Sequence, residues 1–291
     1  MTERLLIGID GGGSQCRARI RDGGGRLLGE GTGGPANIRL GPDFVWASIF
    51  AACRAALRAA GLPETALRFA QAGLGLAGAA QPRAVAALLA HTSPFSATAV
   101  ETDAHIAWLG AFGGGEGAIL IVGTGSVGYG CLQGRSVYIG GRGFHISDDG
   151  SGAVMGRELL RRTIWAYDGR ARMTALAAAV LDRFGGDPEA MVDWACAARP
   201  SDYASFAPLT IEHARAGDPL ATELVSGAAA AIGLIARRLV ELGAPRLCLF
   251  GGLAEPLKPW LDPNLLPLLV TPMADALEGA IMLARGTDRN G

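Results

Sequence analysis

Composition excludes several specialised chemistries at the outset. Charge is almost balanced across the 291 residues, at a net −1 and a pI near 6.4, so no basic surface points to nucleic acid or to an anionic membrane. Cysteine is sparse. Cys16, Cys53, Cys131, Cys196 and Cys248 form an odd set without CxxC spacing, which supports neither a disulfide framework nor a zinc knuckle. Most of them read as small buried apolar residues. The four histidines, His91, His105, His145 and His213, make no metal-ligand pair at helical spacing. Apolar residues reach 49%, yet no run approaches the roughly 18 residues that span a bilayer, and the Ala-rich stretch Val225–Ala236 is too short. Met1-Thr2-Glu3-Arg4 leads straight into a strand with no apolar leader. A cytoplasmic protein is expected, with enough chain for two domains of ordinary size.

Glycine, by contrast, is abundant, with 44 residues clustered at the ends of apolar segments and not in a low-complexity tract. That placement argues for tight turns beside ligands. The stretch Leu5 to Asp22 shows it best. Leu5, Leu6, Ile7 and Ile9 form a core strand ending in Asp10, and after the turn Cys16, Ala18 and Ile20 alternate with Arg17, Arg19 and Arg21. The two strands form a hairpin. Between them Gly11, Gly12, Gly13 and Ser14 let backbone N–H groups crowd a small space that suits phosphate oxygens. No Lys follows and no helix comes next, so this is not a Walker A loop, nor is it GxGxxG. An ordinary glycine-rich hairpin turn is the alternative.

A second copy favours the phosphate reading. Ala118 to Gly141 again runs apolar strand, Gly123-Thr124-Gly125-Ser126 turn, alternating strand, polar turn and third strand. Two related halves, each offering one loop to the same polyanion, make a nucleotide the economical ligand. Between the repeats, strands alternate with helices: a helix from about Asp43, strands at Arg68–Leu76 and Ala97–Thr102, and a helix after Asp103. This is the pattern of an α/β fold with mixed sheets flanked by helices. Gly113-Gly114-Gly115 marks the expected boundary, giving domains 1–113 and 114–291. From Met173 to Leu239 the chain is mainly helical, broken at Gly185–Pro188, Arg199-Pro200 and Gly217-Asp218-Pro219, and it reads as an insert on the second sheet. Arg246–Phe250 is a buried strand ending in a third glycine turn, Gly251-Gly252-Leu253, and the last helix carries Leu277, Ala280, Ile281 and Ala284 on one face.

Taken together, Asp10–Ser14, Gly123–Ser126, Asp148-Asp149-Gly150-Ser151-Gly152 and Gly251-Gly252 resemble the acetate kinase, sugar kinase, heat-shock ATPase and actin superfamily. Within it the chain is similar to the BadF/BadG/BcrA/BcrD-type ATPases, and more narrowly to the bacterial glucosamine kinases, with the animal N-acetylglucosamine kinases more distant. Ala36-Asn37-Ile38, Thr102-Asp103-Ala104 and Gly217-Asp218-Pro219-Leu220 extend the likeness over nearly the whole chain.

The resemblance implies two ribonuclease-H-like domains closing on a cleft, with ATP and Mg²⁺ as cofactors and a small amino sugar as acceptor, phosphorylated on its 6-hydroxyl. Glucosamine is expected to be the better substrate over N-acetylglucosamine. By the same resemblance Asp10 holds the magnesium through water, and Gly11, Gly12, Gly13 and Ser14 face the β- and γ-phosphates. Thr124, Gly125 and Ser126 form the second phosphate loop, with Thr124 and Gly125 also near the sugar. Gly251, Gly252 and Leu253 line the adenosine site. Asn37, Asp103, Gly141 and Asp148 match hexosamine contacts, and Asp103, ionised at its reference pKa of about 3.9, is the catalytic base. Arg142 departs from the animal relatives, which carry an aromatic residue in the Gly-Gly-x-Gly loop.

Plainer readings stand beside these. Asp103 is also placed to cap the helix after it, Asn37 to serve a turn, and Asp148 and Asp149 to pair by turn chemistry with one facing solvent. Two other functions are weighed: an ATPase that activates a partner enzyme, and a sugar sensor without turnover. The activators resemble one another in a cysteine before a Gly-Thr-Gly turn, whereas Asp148–Gly152 here contains none. A sensor would lack the acid present at Asp103. No nucleic-acid or membrane partner is expected, and a homodimer is compatible with the resemblance.

Overall fold

A computed structural model describes residues 4–286. In chain order it runs β1 (Leu5–Gly11), β2 (Cys16–Asp22), β3 (Leu27–Gly33), α1 (Pro42–Ala60), β4 (Ala70–Leu76), α2 (Pro82–Leu89), β5 (Ala97–Thr102) and α3 (Asp103–Phe112). Next come β6 (Ala118–Val122), β7 (Ser126–Leu132), β8 (Arg135–Gly140), α4 (Gly152–Tyr167), α5 (Ala175–Asp182), α6 (Pro188–Ala197), α7 (Pro200–Ala204), α8 (Ala207–Arg215) and α9 (Pro219–Glu241). The chain ends with β9 (Leu247–Phe250), α10 (Ala254–Leu257) and α11 (Ala276–Gly286). Two compact units result: the first joins the residues up to Glu116 with those from Thr271 on, and the second is Gly117–Val270.

The first unit carries a five-stranded sheet in the order β3-β2-β1-β4-β5, with β1 to β3 antiparallel and β4 and β5 parallel to β1. β1 is buried almost throughout because helices cover both its faces. Ile7 and Ile9 join Cys16, Ala18 and Ile20 of β2 against Val45, Ile49, Ala52 and Ala56 of α1, while Leu6 meets Ile281 and Ala284 of α11. The alternation in β2 sends Arg17, Arg19 and Arg21 to that second face. There Arg19 grips Asp275 through two bonds of 2.7 Å and Arg21 pairs with Glu278 at 2.7 Å.

The sequence reading placed α11 in the second domain, and the structure places it on the first sheet. Its apolar stripe seats over β1 and β4 because that surface is glycine: a Cβ on Gly73 would stand 2.1 Å from the Ala280 carbonyl oxygen. The stripe announces a buried face but not which sheet it covers. The division accordingly falls after Glu116, the residue that follows the glycine triplet and three past the expected boundary at 113, with a second crossing at Thr271.

The second unit carries a four-stranded sheet, β8-β7-β6-β9, again with three antiparallel strands and a fourth parallel to the first. Helices α4 to α9 build most of its core. α9 is, by length and composition, apolar enough to cross a membrane, more than the sequence reading allowed, with 56% of the apolar window buried inside the structure. Leu224, Val225, Ile232, Ala236 and Leu239 supply its packed face.

The helix breaks fall where the sequence placed them, for capping reasons. Asp187 accepts the Glu189 N–H at the start of α6. Asp218 accepts both the Ala221 N–H of α9 at 3.0 Å and the Leu176 N–H of α5 at 2.9 Å. Burial pushes the Asp218 carboxyl up, but these backbone donors and the Thr174 hydroxyl bring it below the usual carboxylate range.

Candidate active site

In the first unit the candidate groups sit at the carboxyl ends of β1 and β5. Asp10 is the penultimate residue of β1, and Arg17, its cross-strand partner, reaches its Oδ2 with an Nη2 at 2.5 Å. The Asp10 side chain retains 17% exposure. The glycine turn that follows is folded by the Gly12 N–H donating to the Gln15 carbonyl, and Gly13 and Ser14 face solvent. Asn37 caps the short 3-10 turn Ile38–Leu40, its Oδ1 accepting the Arg39 N–H at 3.0 Å, so the turn role weighed from sequence is occupied. Arg17 was missed as a site residue. The hairpin register held the signal, since an acid and an arginine at paired strand positions stand side by side.

Asp103 opens α3 but is not its cap. Thr102 holds that position, its hydroxyl accepting the His105 N–H at 3.1 Å, and Asp103 Oδ1 takes the Ala104 N–H at 2.9 Å. Nor does Asp103 keep its reference pKa. Burial pushes the carboxyl up to about 6; the Ala104 N–H opposes the rise, and the charge of Asp10 adds to it. The first unit therefore brings Asp10 and Asp103 within electrostatic reach of each other.

In the second unit the glycine turn is locked into the start of α4. Gly123 N–H bonds the Gly125 carbonyl at 2.9 Å, Gly152 N–H bonds the Gly123 carbonyl at 2.8 Å, and Ser151 caps the helix. Ser126, only 3% exposed, spends its hydroxyl on the Asp149 carbonyl at 2.7 Å, so backbone and not side chain is what this residue can offer a phosphate. Thr124 is exposed at the tip. Asp148 has a left-handed backbone (φ 62°), and its Oδ1 accepts the Gly143 N–H at 3.1 Å. A Cβ on Gly125 would lie 2.9 Å from Asp148 Oδ2, so the carboxylate stands directly against the turn. Burial raises the Asp148 pKa, the Gly143 N–H opposes it and the Asp149 charge adds to it.

Asp149 is the exposed member of the pair. Gly141 is exposed with φ 67° beside Val127, at the mouth of the same turn. The Gly251–Leu253 segment also ends here: Leu253 N–H bonds the Val122 carbonyl at 3.0 Å, and Gly252 N is 4.0 Å from a Cβ built on Gly123. Leu253 itself is 7% exposed and packs into the core, leaving backbone as its contribution.

No group of three or more His, Cys, Asp or Glu side chains suited to a metal occurs among the described residues. A single half-buried carboxylate such as Asp10 fits an ion that arrives with phosphates and keeps several waters, and does not fit a resident metal.

Residues 7–284 match the family described as the BadF/BadG/BcrA/BcrD ATPase family. The chain belongs to this ATPase family. It is 43% identical over 284 residues to glucosamine kinase GspK of Vibrio cholerae, a span covering 98% of this chain and 97% of that one. A solved structure of a candidate N-acetylglucosamine kinase from Chromobacterium violaceum superposes with a TM-score of 0.92 at 35% identity, over 98% of this chain and 100% of the other. A ROK family glucokinase from Streptomyces griseus, solved with glucose and AMPPNP, shares the fold at a TM-score of 0.54 and 19% identity, over 99% and 100% of the two chains. The two mixed sheets flanked by helices are thus the ribonuclease-H-like domains of actin-like ATPases, and ATP is the nucleotide of the family.

Proposed function

We propose that this ATPase-family member is an amino-sugar kinase that moves the γ-phosphoryl group of ATP to the 6-hydroxyl of glucosamine, with N-acetylglucosamine a poorer acceptor. The observation that carries the reading is Asp103, a half-buried carboxylate at the first position of α3 with a pKa pushed to about 6 and Asp10 as its charged neighbour. Likeness to the Vibrio glucosamine kinase over 98% of the chain supports the choice of acceptor.

In the proposed reaction the sugar O6 forms a bond to the γ-phosphorus as the bond from that phosphorus to the β–γ bridging oxygen breaks. The O6 proton passes to Asp103, and ADP leaves. A carboxylate with a pKa near 6 accepts a proton more readily than an ordinary one and is still ionised at neutral pH, which is the balance general-base catalysis favours. Asp10 would hold Mg²⁺, which on binding supplies charge neutralisation to the phosphate oxygens. Gly11, Gly12, Gly13 and Ser14 would present backbone N–H groups to the β- and γ-phosphates, and Thr124, Gly125 and Ser126 would form the second phosphate loop. Gly251, Gly252 and Leu253 are assigned to the adenosine side. Asn37, Thr124, Gly125, Gly141 and Asp148 are assigned to the sugar, where a carboxylate of Asp148 suits an ammonium group. We place the enzyme in the cytoplasm; a homodimer is compatible with the family likeness.

A coupled ADP-release assay over glucosamine, N-acetylglucosamine, glucose and mannose tests the reading. Turnover with glucosamine above the other sugars is expected. Equal or better turnover of the acetylated sugar would overturn the preference, and release of ADP that ignores every sugar would overturn the kinase.

A further inference from the structure

The connection from β8 to α4 is pinned at one pair of residues. Gly143 gives its N–H to Asp148 Oδ1 at 3.1 Å, and its carbonyl accepts the N–H groups of Ile146 and Ser147 at 3.1 and 2.8 Å. Those bonds are local to the loop and fix its shape without fixing its place. Placement comes from the next side chain. The Phe144 ring lies 5.2 Å from the Tyr203 ring at an interplanar angle of 33°, with the Arg157 guanidinium carbon 5.0 Å from its centroid. Arg157 Nη1 also donates to the Phe144 carbonyl at 3.4 Å.

The socket is rigid. Tyr203 is 9% exposed, its hydroxyl donates to the Ala195 carbonyl at 3.0 Å, and Trp194 meets its ring edge-on at 5.2 Å. α4 and α7 touch so closely that a Cβ on Gly156 would stand 2.0 Å from the Tyr203 carbonyl oxygen. Between Phe144 and Asp149, whose carbonyl accepts the Ser126 hydroxyl at 2.7 Å, the side chains offer no comparable seat: His145 is exposed, and Ile146 is 85% exposed.

We propose that Phe144 is a positioning residue for the sugar-binding loop, seated between Arg157 and Tyr203 so that α4 and α7 set where Gly141, Gly143 and Asp148 stand. This rests on the assignment of Gly141 and Asp148 to the amino sugar. Phe144 touches no reacting group. With its ring removed, the loop loses its seat on α4 and α7, and its internal turn opens more often. The Asp148 carboxylate, tied to the loop through Gly143, is then presented to the sugar in many orientations. Aromatic and cation–π contacts of this kind are together worth about a tenfold change in an equilibrium.

Steady-state kinetics of Phe144→Ala, Phe144→Leu and Arg157→Met with glucosamine and ATP, paired with hydrogen exchange over residues 140–150 without ligands, test this. In Phe144→Ala the KM for glucosamine should rise about tenfold while kcat and the KM for ATP stay within about twofold. Exchange at the Gly143, Ile146 and Ser147 amides should quicken. Phe144→Leu should show a smaller change, Arg157→Met one smaller still, and these two carry the test if Phe144→Ala does not fold. An unchanged sugar KM, or an ATP KM that rises in step with it as general loosening would produce, overturns the proposal. Failure of the wild-type protein to use any amino sugar would overturn the functional reading instead. The exchange comparison would then still decide whether Phe144 anchors the loop, since unchanged exchange in Phe144→Ala contradicts the anchor.

Discussion

The two halves repeat one plan and differ in what they place at its tip. Each has three antiparallel strands, a glycine turn after the first and a parallel fourth strand. Where the first turn is preceded by Asp10, the second is preceded by Val122, which is 1% exposed. Where Gly13 and Ser14 stand in solvent, Ser126 is buried and bonded to Asp149. Asp10, with Asp103 within its electrostatic reach, gives the first half an acidic tip. The second half offers backbone N–H groups held in place by neighbours. One framework thus carries two different tips, and the difference depends on a handful of side chains.

The sharpest way to break the comparison is to neutralise the acidic half. Asp103→Asn keeps size and the bond to the Ala104 N–H but removes basicity, so kcat should fall by about 10²-fold or more while ATP still binds. Unchanged kcat would place the base elsewhere. The same variant should be more stable than the parent at pH 8, because the parent holds a charge that burial disfavours. A carboxyl raised from 3.8 to about 6 favours folding fully below its unfolded value and loses that advantage as pH rises through 6. The difference is at most about 3 kcal/mol at pH 8, should vanish near pH 3, and is read from urea titrations at the two pH values.

In the intact protein the raised carboxyl predicts an acidic limb in kcat, with activity lost as pH falls through about 6. A limb at or below pH 4 would show that Asp103 is either solvated or not the base.

The backbone half should yield to a smaller change. Gly125→Ala puts a methyl group 2.9 Å from Asp148 Oδ2, which must move and loosen its bond to Gly143. A loss of about tenfold in kcat/KM is expected. Gly13→Ala, whose Cβ meets no protein atom within 4 Å, leaves the first turn unstrained, so the smaller loss expected in kcat/KM, about threefold, comes from the phosphates that turn is proposed to receive and should show as a raised KM for ATP. Equal losses in the two would erase the distinction between a packed turn and an open one.

Away from both tips, Asp218→Ala removes caps from α5 and α9 together and should cost about 2 kcal/mol with kinetics unchanged. Because the Asp218 carboxyl is held below its usual range, its contribution is full at neutral pH and fades as pH falls through that lowered value. A cost below about 0.5 kcal/mol in chemical denaturation would show that the double cap is dispensable.

Much of this was legible in the sequence because it is periodic or local. The apolar run of β1, the alternation of Cys16, Ala18 and Ile20 with three arginines, and the breaks at Gly185–Pro188 and Gly217–Pro219 each announce an element from its own residues. What escaped depends on groups distant in sequence. The stripe on α11 does not say that Gly8 and Gly73 await it. The pKa of Asp103 depends on burial under the folded sheet and on Asp10, 93 positions earlier (103 − 10). Nothing near Ser126 foretells that its hydroxyl is spent on Asp149. At Thr102-Asp103 two good capping residues stand in succession, and only the backbone at Thr102, extended at φ −75° and ψ 155°, decides between them.

Phosphorylated product from glucosamine and ATP, examined by phosphorus–proton correlation in solution, tests the central claim most directly. Transfer of the γ-phosphoryl group to the 6-hydroxyl predicts one new phosphorus signal coupled to the two protons on carbon 6, formed in equal amount with ADP, and none from 6-deoxyglucosamine. Phosphorus coupled to any other ring position, or ADP accompanied only by free phosphate, would contradict it.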